Sequence, residues 1–253
     1  AYADDFRFNP DPVLTYEVPA DGDYVLQIKD SVYRGREDFV YRITLGEIPL
    51  ITGMFPLGGR EGKSTTVTLN GWNLPENKIT VDAADLKPGI CNIRVGDSSF
   101  VNGTIPFAVT DSPEQNENEP NDDRGKAQAV MLPQVINGSI EKPGDTDNFS
   151  FFAKQNDEIV IEVLARRLNS PLDSMLTLID SQGRQLEMND DHEDKSAGLI
   201  THQADSLITA KIPADGTYYV QLGDTRRDGG PAFAYRLRIG PKQPDFELRV
   251  APS

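Results

Sequence analysis

Residues 207–240 read LITAKIPADGTYYVQLGDTRRDGGPAFAYRLRIG, and residues 13–46 read VLTYEVPADGDYVLQIKDSVYRGREDFVYRITLG. The two overlie without a gap at an offset of 194, with 13 identities in 34 positions. Nearly half of the remaining pairs exchange one apolar residue for another, the mark of one structural unit occurring twice. In the second copy Leu207, Thr209 and Lys211 alternate with Ile208, Ala210 and Ile212, the period of a strand. Asp215-Gly216 tolerates positive φ and reads as a hairpin turn into the β-rich run 217–222. After a Gly-rich loop, Phe233, Tyr235, Leu237 and Ile239 alternate as a third strand.

A hairpin plus one strand buries too little apolar surface to stand alone. The second copy is preceded by a stretch dense in strand patterns, at 135–140, 148–153, 158–165, 175–180 and 184–188. Phe149 and Phe151, and Ile159, Ile161 and Val163, supply period-two faces. Residues 124–240 are therefore predicted to form a complete antiparallel, jelly-roll-like β-sandwich. The first copy has only twelve residues before it. Residues 1–47 are accordingly expected to be the C-terminal half of a similar sandwich, in a fragment of a longer multidomain protein. Residues 241–253 read as a linker to a following module.

Between the copies, residues 48–110 carry short strands with Pro and Gly breaks: Val67 and Leu69 within a Thr-rich run, then 79–81, 89–95 and 104–109. About six or seven strands in so short a stretch make a small β-sandwich. The run DSPEQNENEPNDD at 111–123 is polar and acidic and reads as an acidic linker. Residues 124–130 are the one stretch expected to form a helical turn or two. The fold class is thus all-β, as tandem antiparallel β-sandwiches.

With 40 acidic and 25 basic residues the net charge is −15. Nucleic acid and anionic lipid are excluded as partners, because a phosphate backbone needs clustered Lys and Arg. No apolar run approaches 18 residues, so no membrane insertion is expected. Cys91 is the single cysteine and forms no internal disulfide; it reads as a small core or edge residue of a strand. Catalysis finds no support. There is no Gly-x-Ser-x-Gly elbow, no His-Glu-x-x-His and no phosphate-cradling loop around Gly62-Lys63-Ser64. The only histidines, His192 and His202, fall in one loop region, and the acidic stretch 189–194 lacks the ligand spacing of an EF-hand.

Several segments in combination carry a family resemblance. These are Glu117-Asn118-Glu119-Pro120-Asn121-Asp122, Asn137-Gly138-Ser139-Ile140, Gly144-Asp145-Thr146-Asp147-Asn148-Phe149, Leu172-Asp173-Ser174-Met175 and Ala214-Asp215-Gly216-Thr217-Tyr218. Together they resemble the bacterial pre-peptidase C-terminal (PPC) domain, over 114–240 fully and over 1–47 as its second half. Residues 48–110, with Phe55-Pro56-Leu57-Gly58-Gly59 and Asn70-Gly71-Trp72-Asn73, resemble the immunoglobulin-like TIG/IPT family. The PPC family includes the collagen-binding domains of bacterial collagenases, which bind calcium through a Glu-x-Glu-x-Asn-Asp segment and a later Asp pair. The resemblance thus implies Ca²⁺ as cofactor, with Glu117, Glu119, Asn121, Asp122, Asp145 and Asp147 as metal ligands and a backbone carbonyl near Ser139 as a further one. Independently, Ca²⁺ takes six to eight oxygens, and carboxylates at i, i+2 and i+5 on an extended segment bend readily round one ion.

The resulting expectation is a non-catalytic structural or accessory fragment of an exported bacterial protein, located outside the cell, in the periplasm or at the cell surface. Its partners would be neighbouring domains of the same polypeptide or an extracellular polymer. A polymer-binding module is the alternative, for polysaccharide or fibrous protein, with Tyr219 as the candidate ligand-binding residue on the strand face opposite Tyr218. An accessory region of a secreted peptidase is a further one. Trp72 is expected to be a core or turn anchor.

Overall fold

The computed structural model describes residues 1–7, 9–97, 99–193 and 202–243. The expected linker at 241–253 and the end of the acidic stretch at Asp194 lie largely outside them. Regular structure begins at residue 50. The first module holds β1 Leu50–Phe55, β2 Gly58–Arg60, β3 Ser64–Trp72, β4 Lys78–Asp82, β5 Gly89–Arg94 and β6 Thr104–Thr110. These form two three-stranded sheets, in the orders β1-β3-β4 and β2-β6-β5. Val67 and Leu69 turn inward from β3, as the alternation predicts, and pack with Ile51, Met54 and Phe107. Cys91 is half-buried opposite Phe107, whose carbonyl accepts from its thiol at 3.3 Å. Trp72, expected as an anchor, is 41% exposed at the end of β3.

The second module holds β7 Glu114–Asn116, β8 Gln128–Ala129, β9 Gln134–Ser139, β10 Thr146–Ala153, β11 Glu158–Leu164, β12 Ser174–Ile179, β13 Gln185–Asn189, β14 His192–Glu193, β15 His202–Gln203, β16 Leu207–Lys211, β17 Gly216–Asp224 and β18 Ala234–Pro241. Two five-stranded sheets, β13-β12-β17-β10-β8 and β16-β11-β18-β9-β7, enclose one core. Phe149, Phe151, Leu176, Leu178, Val220 and Leu222 face Ile136, Ile161, Val163, Leu237 and Ile239 across it. This is the expected sandwich, and the sheet pairings are antiparallel except at three short edges. There β2 runs parallel to β6, β7 to β9 and β8 to β10. Among the described residues no helix is long and apolar enough to cross a membrane.

Three expectations are corrected. Asp215-Gly216 does not close a hairpin, because β16 and β17 belong to different sheets; a corner between sheets needs the same turn residues as a hairpin. The helical stretch shrinks to one 3₁₀ turn, Arg124–Lys126, capped by Asp123 accepting from the Gly125 N–H at 2.8 Å; after it Gln128–Ala129 joins β10 as an edge strand. A second 3₁₀ turn lies at Arg166–Leu168.

The acidic linker is the third. Its residues Glu114–Asn116 are the edge strand β7, paired to β9. Because β7 edges one sheet and β8 the other, the segment between them crosses from sheet to sheet. Residues 13–46, the first copy of the repeat, form no strand. In the second copy none of β16, β17 and β18 pairs with another, and all their neighbours are β9 to β12. A segment of this kind carries no hydrogen-bonding partners of its own.

The two modules share a seam. Leu168 and Ala234 pack into the first module's core. Arg236, 2% exposed, donates to Asn137 Oδ1 at 2.7 Å and Glu114 Oε2 at 3.0 Å, and Gly58 gives its guanidinium room; a Cβ there would run into the Ala108 carbonyl.

Candidate metal centre

The crossing segment 117–122 places its polar groups between the sheets. The Glu117 N–H donates to the Asn137 carbonyl at 2.8 Å, continuing the β7–β9 pairing, so its side chain turns over β9. There Glu117 Oε1 accepts from the Ser139 N–H at 2.6 Å and Oε2 from the Tyr235 hydroxyl at 2.9 Å. Asn121 is fully buried, and its carbonyl accepts from Asn148 through the backbone N–H at 3.1 Å and Nδ2 at 3.0 Å. Asp147, on β10 and fully buried, accepts from the Tyr235 hydroxyl at 2.6 Å. One segment thus meets both sheets at a single point.

Carboxylate oxygens of Glu117, Glu119 and Asp147 converge there, each within 4.8 Å of the others. Asn121 Oδ1 joins them at 3.2 Å from Glu119 Oε1 and 3.1 Å from Asp147 Oδ1, oxygen facing oxygen. Turned over, the amide donates to both carboxylates; in the orientation it has, Oδ1 is available to a cation. Among the described residues no ion pair reaches Glu117, Glu119 or Asp147.

The electrostatics follow from that shortage. Burial pushes the Glu117 carboxyl up to about 7, against the pull of hydrogen bonds from Tyr235 and Ser139. Burial and then the neighbouring Glu117 charge push Asp147 up to about 9. Glu119 is raised, mainly by burial, and the Tyr235 hydroxyl is held well above its ordinary value by burial and the two carboxylates. A hydroxyl has one proton, so between two carboxylates it satisfies only part of their need.

Four of the seven predicted ligands, Glu117, Glu119, Asn121 and Asp147, are brought together. Asp122 and Asp145 lie beside the cluster, their charges adding to the rise of Glu119, with Lys142 Nζ 3.6 Å from Asp122 Oδ1 and 3.9 Å from Asp145 Oδ1. A hydrogen bond with Asp145, and then the Lys142 charge, hold the Asp122 carboxyl below its usual range. Asp145 Oδ2 accepts from the Glu141 N–H at 2.8 Å, while its Oδ1 is buried without a hydrogen bond, as is Asn148 Oδ1. Ser139 donates to Glu117 Oε1 through its N–H at 2.6 Å and its hydroxyl at 3.4 Å.

The sequence reading missed Tyr235, Gly138 and Lys142. A tyrosine among the aliphatic residues of a core strand needs a partner for its hydroxyl, and that was the available signal. Gly138 lies under the Tyr235 ring, where a Cβ would strike both the ring and Glu117. Tyr219 is half-buried on the outer face of β17, opposite Ser150 and Ile179. The Arg124 guanidinium sits 6.0 Å over its ring.

The donor set fits a hard divalent cation. Three carboxylates and an amide carbonyl are all oxygen ligands, and no sulfur or imidazole takes part in the cluster, which suits Ca²⁺ rather than a transition metal. The two most buried carboxyls are those most disfavoured as bare anions.

No family model matches the chain. A probable subtilase-type serine protease of Deinococcus radiodurans is 37% identical over 148 residues, 57% of this chain. The chain spans 18% of that protein's length. Among solved structures, the pre-peptidase C-terminal domain of a collagenase from Bacillus anthracis is 20% identical, covering 49% of this chain and 99% of its own, at a TM-score of 0.33. A periplasmic inhibitor of g-type lysozyme from Aeromonas hydrophila is 14% identical, covering 46% and 97%, at 0.33.

Proposed function

We propose that this chain is a non-catalytic accessory segment of an exported bacterial protein, and that its second sandwich is held closed by one Ca²⁺. The observation that carries the reading is the meeting of the Glu117, Glu119 and Asp147 carboxylates, with no ion pair to any of them among the described residues. Bound there, Ca²⁺ would supply the positive charge that keeps these buried carboxyls ionised. The chain's own residues prepare the site. Ser139 and Tyr235 fix the Glu117 carboxylate from one sheet, Asp147 reaches in from the other, and Asn121 is anchored through its carbonyl to Asn148. The segment 117–122 therefore acts as a clasp across the sandwich, and anything that binds only the clasped form stabilises it.

The accessory role is supported by the likeness of 57% of the chain to part of a protein named as a probable subtilase-type serine protease. In that setting the segment would sit outside the cytoplasm, beside a catalytic unit it does not itself contain. Excess EDTA is expected to lower the melting temperature and open the backbone at 117–123 to proteases. An unchanged melting temperature and cleavage pattern after complete removal of divalent ions would contradict the proposal.

A further inference from the structure

Residues 13–46 hold the local hydrogen bonds of residues 207–240 without forming their strands. The Tyr24 hydroxyl donates to the Ala20 carbonyl at 2.7 Å, and at the matching positions Tyr218 donates to Ala214 at 2.7 Å. The Val32 N–H donates to Asp30 Oδ1 at 2.9 Å, as the Arg226 N–H does to Asp224 Oδ1 at 2.9 Å. Tyr33 and Arg227, 194 apart, both take positive φ, 57° and 61°, and each closes a 3.0 Å turn onto the preceding aspartate carbonyl. Phe39 closes onto Arg36 at 3.0 Å as Phe233 closes onto Gly230 at 2.9 Å. Four local devices, each the same in both copies, fix the path of the chain at both connections.

The difference is non-local. Val220, Leu222 and Leu237 are fully buried, while their counterparts Leu26, Ile28 and Ile43 are 51%, 45% and 43% exposed. Tyr235 is fully buried on two carboxylates, whereas Tyr41 is 69% exposed. In the second copy the coverage comes from β9 to β12, with β17 between β10 and β12 and β18 between β11 and β9.

We propose that residues 13–46 are a strand-donating surface, and that the partner they fit is a half-sandwich of the kind residues 114–193 form. That partner presents two incomplete sheets. It also carries a carboxylate pair to receive the Tyr41 hydroxyl and an acceptor for Arg42, the counterpart of buried Arg236. Backbone pairing on both sides of an inserted strand gives such an association its strength, and alternate side chains give its specificity. A second copy of this chain does not fit, because its half-sandwich is already filled by its own residues 207–240. The inference stands on the two copies and not on the calcium reading.

The test is to fuse residues 114–194 ahead of Ala1 in the full chain, which restores the spacing of 194 between the half-sandwich and the first copy. Amides in 24–28 and 41–45 are expected to move from unprotected exchange to rates slower by roughly 1,000-fold or more, as in a cooperatively folded strand. Leu26→Asp should abolish that protection in the extended chain and leave the melting of the unextended chain unchanged. A control extended chain carrying the sequence of 207–240 in place of 13–46 establishes that the added half is competent. If the control is protected and the parent is not, the proposal is overturned. It is equally overturned if the unextended chain already protects these amides, alone or by associating with a second copy.

Discussion

Two buried acidic sites in the same sandwich are built on opposite principles. Asp205, 1% exposed, accepts from the backbone N–H groups of Ala165, Arg166 and Arg167 and from Arg167 Nε, at 2.7–3.2 Å. Its charge is neutralised and both its oxygens are occupied, so the protein alone satisfies it. Glu117, Glu119 and Asp147 share one tyrosine hydroxyl, a few backbone N–H groups and no cation. A buried charge is tolerated when paired and hydrogen-bonded, and is otherwise neutralised by taking a proton or an ion. Burial alone therefore does not identify a ligand site; the shortfall in donors does.

The comparison breaks most visibly at Asp205. Asp205→Ala strips three N–H groups and a guanidinium of their acceptor and is expected to cost about 3 kcal/mol in urea unfolding. The loss should be the same in EDTA and in calcium, since that site is complete without an ion. A calcium-dependent loss would merge the two classes.

At the other site, calcium at about 100 times its Kd is expected to add about 2.7 kcal/mol to the stability of the second sandwich. The pH dependence carries the same contrast. Without divalent ions the folded state holds protons on Glu117 and Asp147 at about 7 and about 9, above the ordinary carboxylate range of about 4 in the unfolded chain. The folded state then binds more protons, so stability is fully present below about pH 4 and is lost as pH rises through both values. Urea unfolding in EDTA should weaken steadily from pH 5 to pH 9, and saturating calcium should flatten the profile. A profile that rises with pH in EDTA would contradict the assignment.

Asp147→Asn is expected to have the smallest effect on stability in EDTA at pH 8: no loss, or a gain of up to about 1 kcal/mol, because burying the Asp147 carboxyl at that pH requires it to take up a proton, a cost that Asn does not carry. The same substitution should eliminate the response to calcium. Loss of stability in EDTA comparable to that of Asp205→Ala would place Asp147 among the satisfied carboxylates.

Much of this architecture is legible in the sequence because it is local. The alternations at Phe149/Phe151 and Ile159/Ile161/Val163 place those side chains in the core where they are found. The Asp30 and Asp224 turns form in both copies whatever surrounds them. Pairing is not local. Asp215-Gly216 looks the same whether it joins neighbours in one sheet or strands in two, and β7 is hidden in an acidic run because a three-residue edge strand needs no apolar face. At the metal centre the spacing of Glu117, Glu119 and Asn121 is readable. The approach of Lys142 to Asp122 and Asp145, and the meeting with Tyr235 118 residues from Glu117, depend on the folded path.

The central claim is that the clasp at 117–122 closes on a calcium ion. Its most direct test is calcium titration of the metal-free chain by isothermal calorimetry at pH 7.5, beside Asp147→Asn and Asp205→Asn. The account predicts one ion per chain, lost in Asp147→Asn and retained in Asp205→Asn. Absence of binding to the parent chain, or binding that survives Asp147→Asn unchanged, would contradict it.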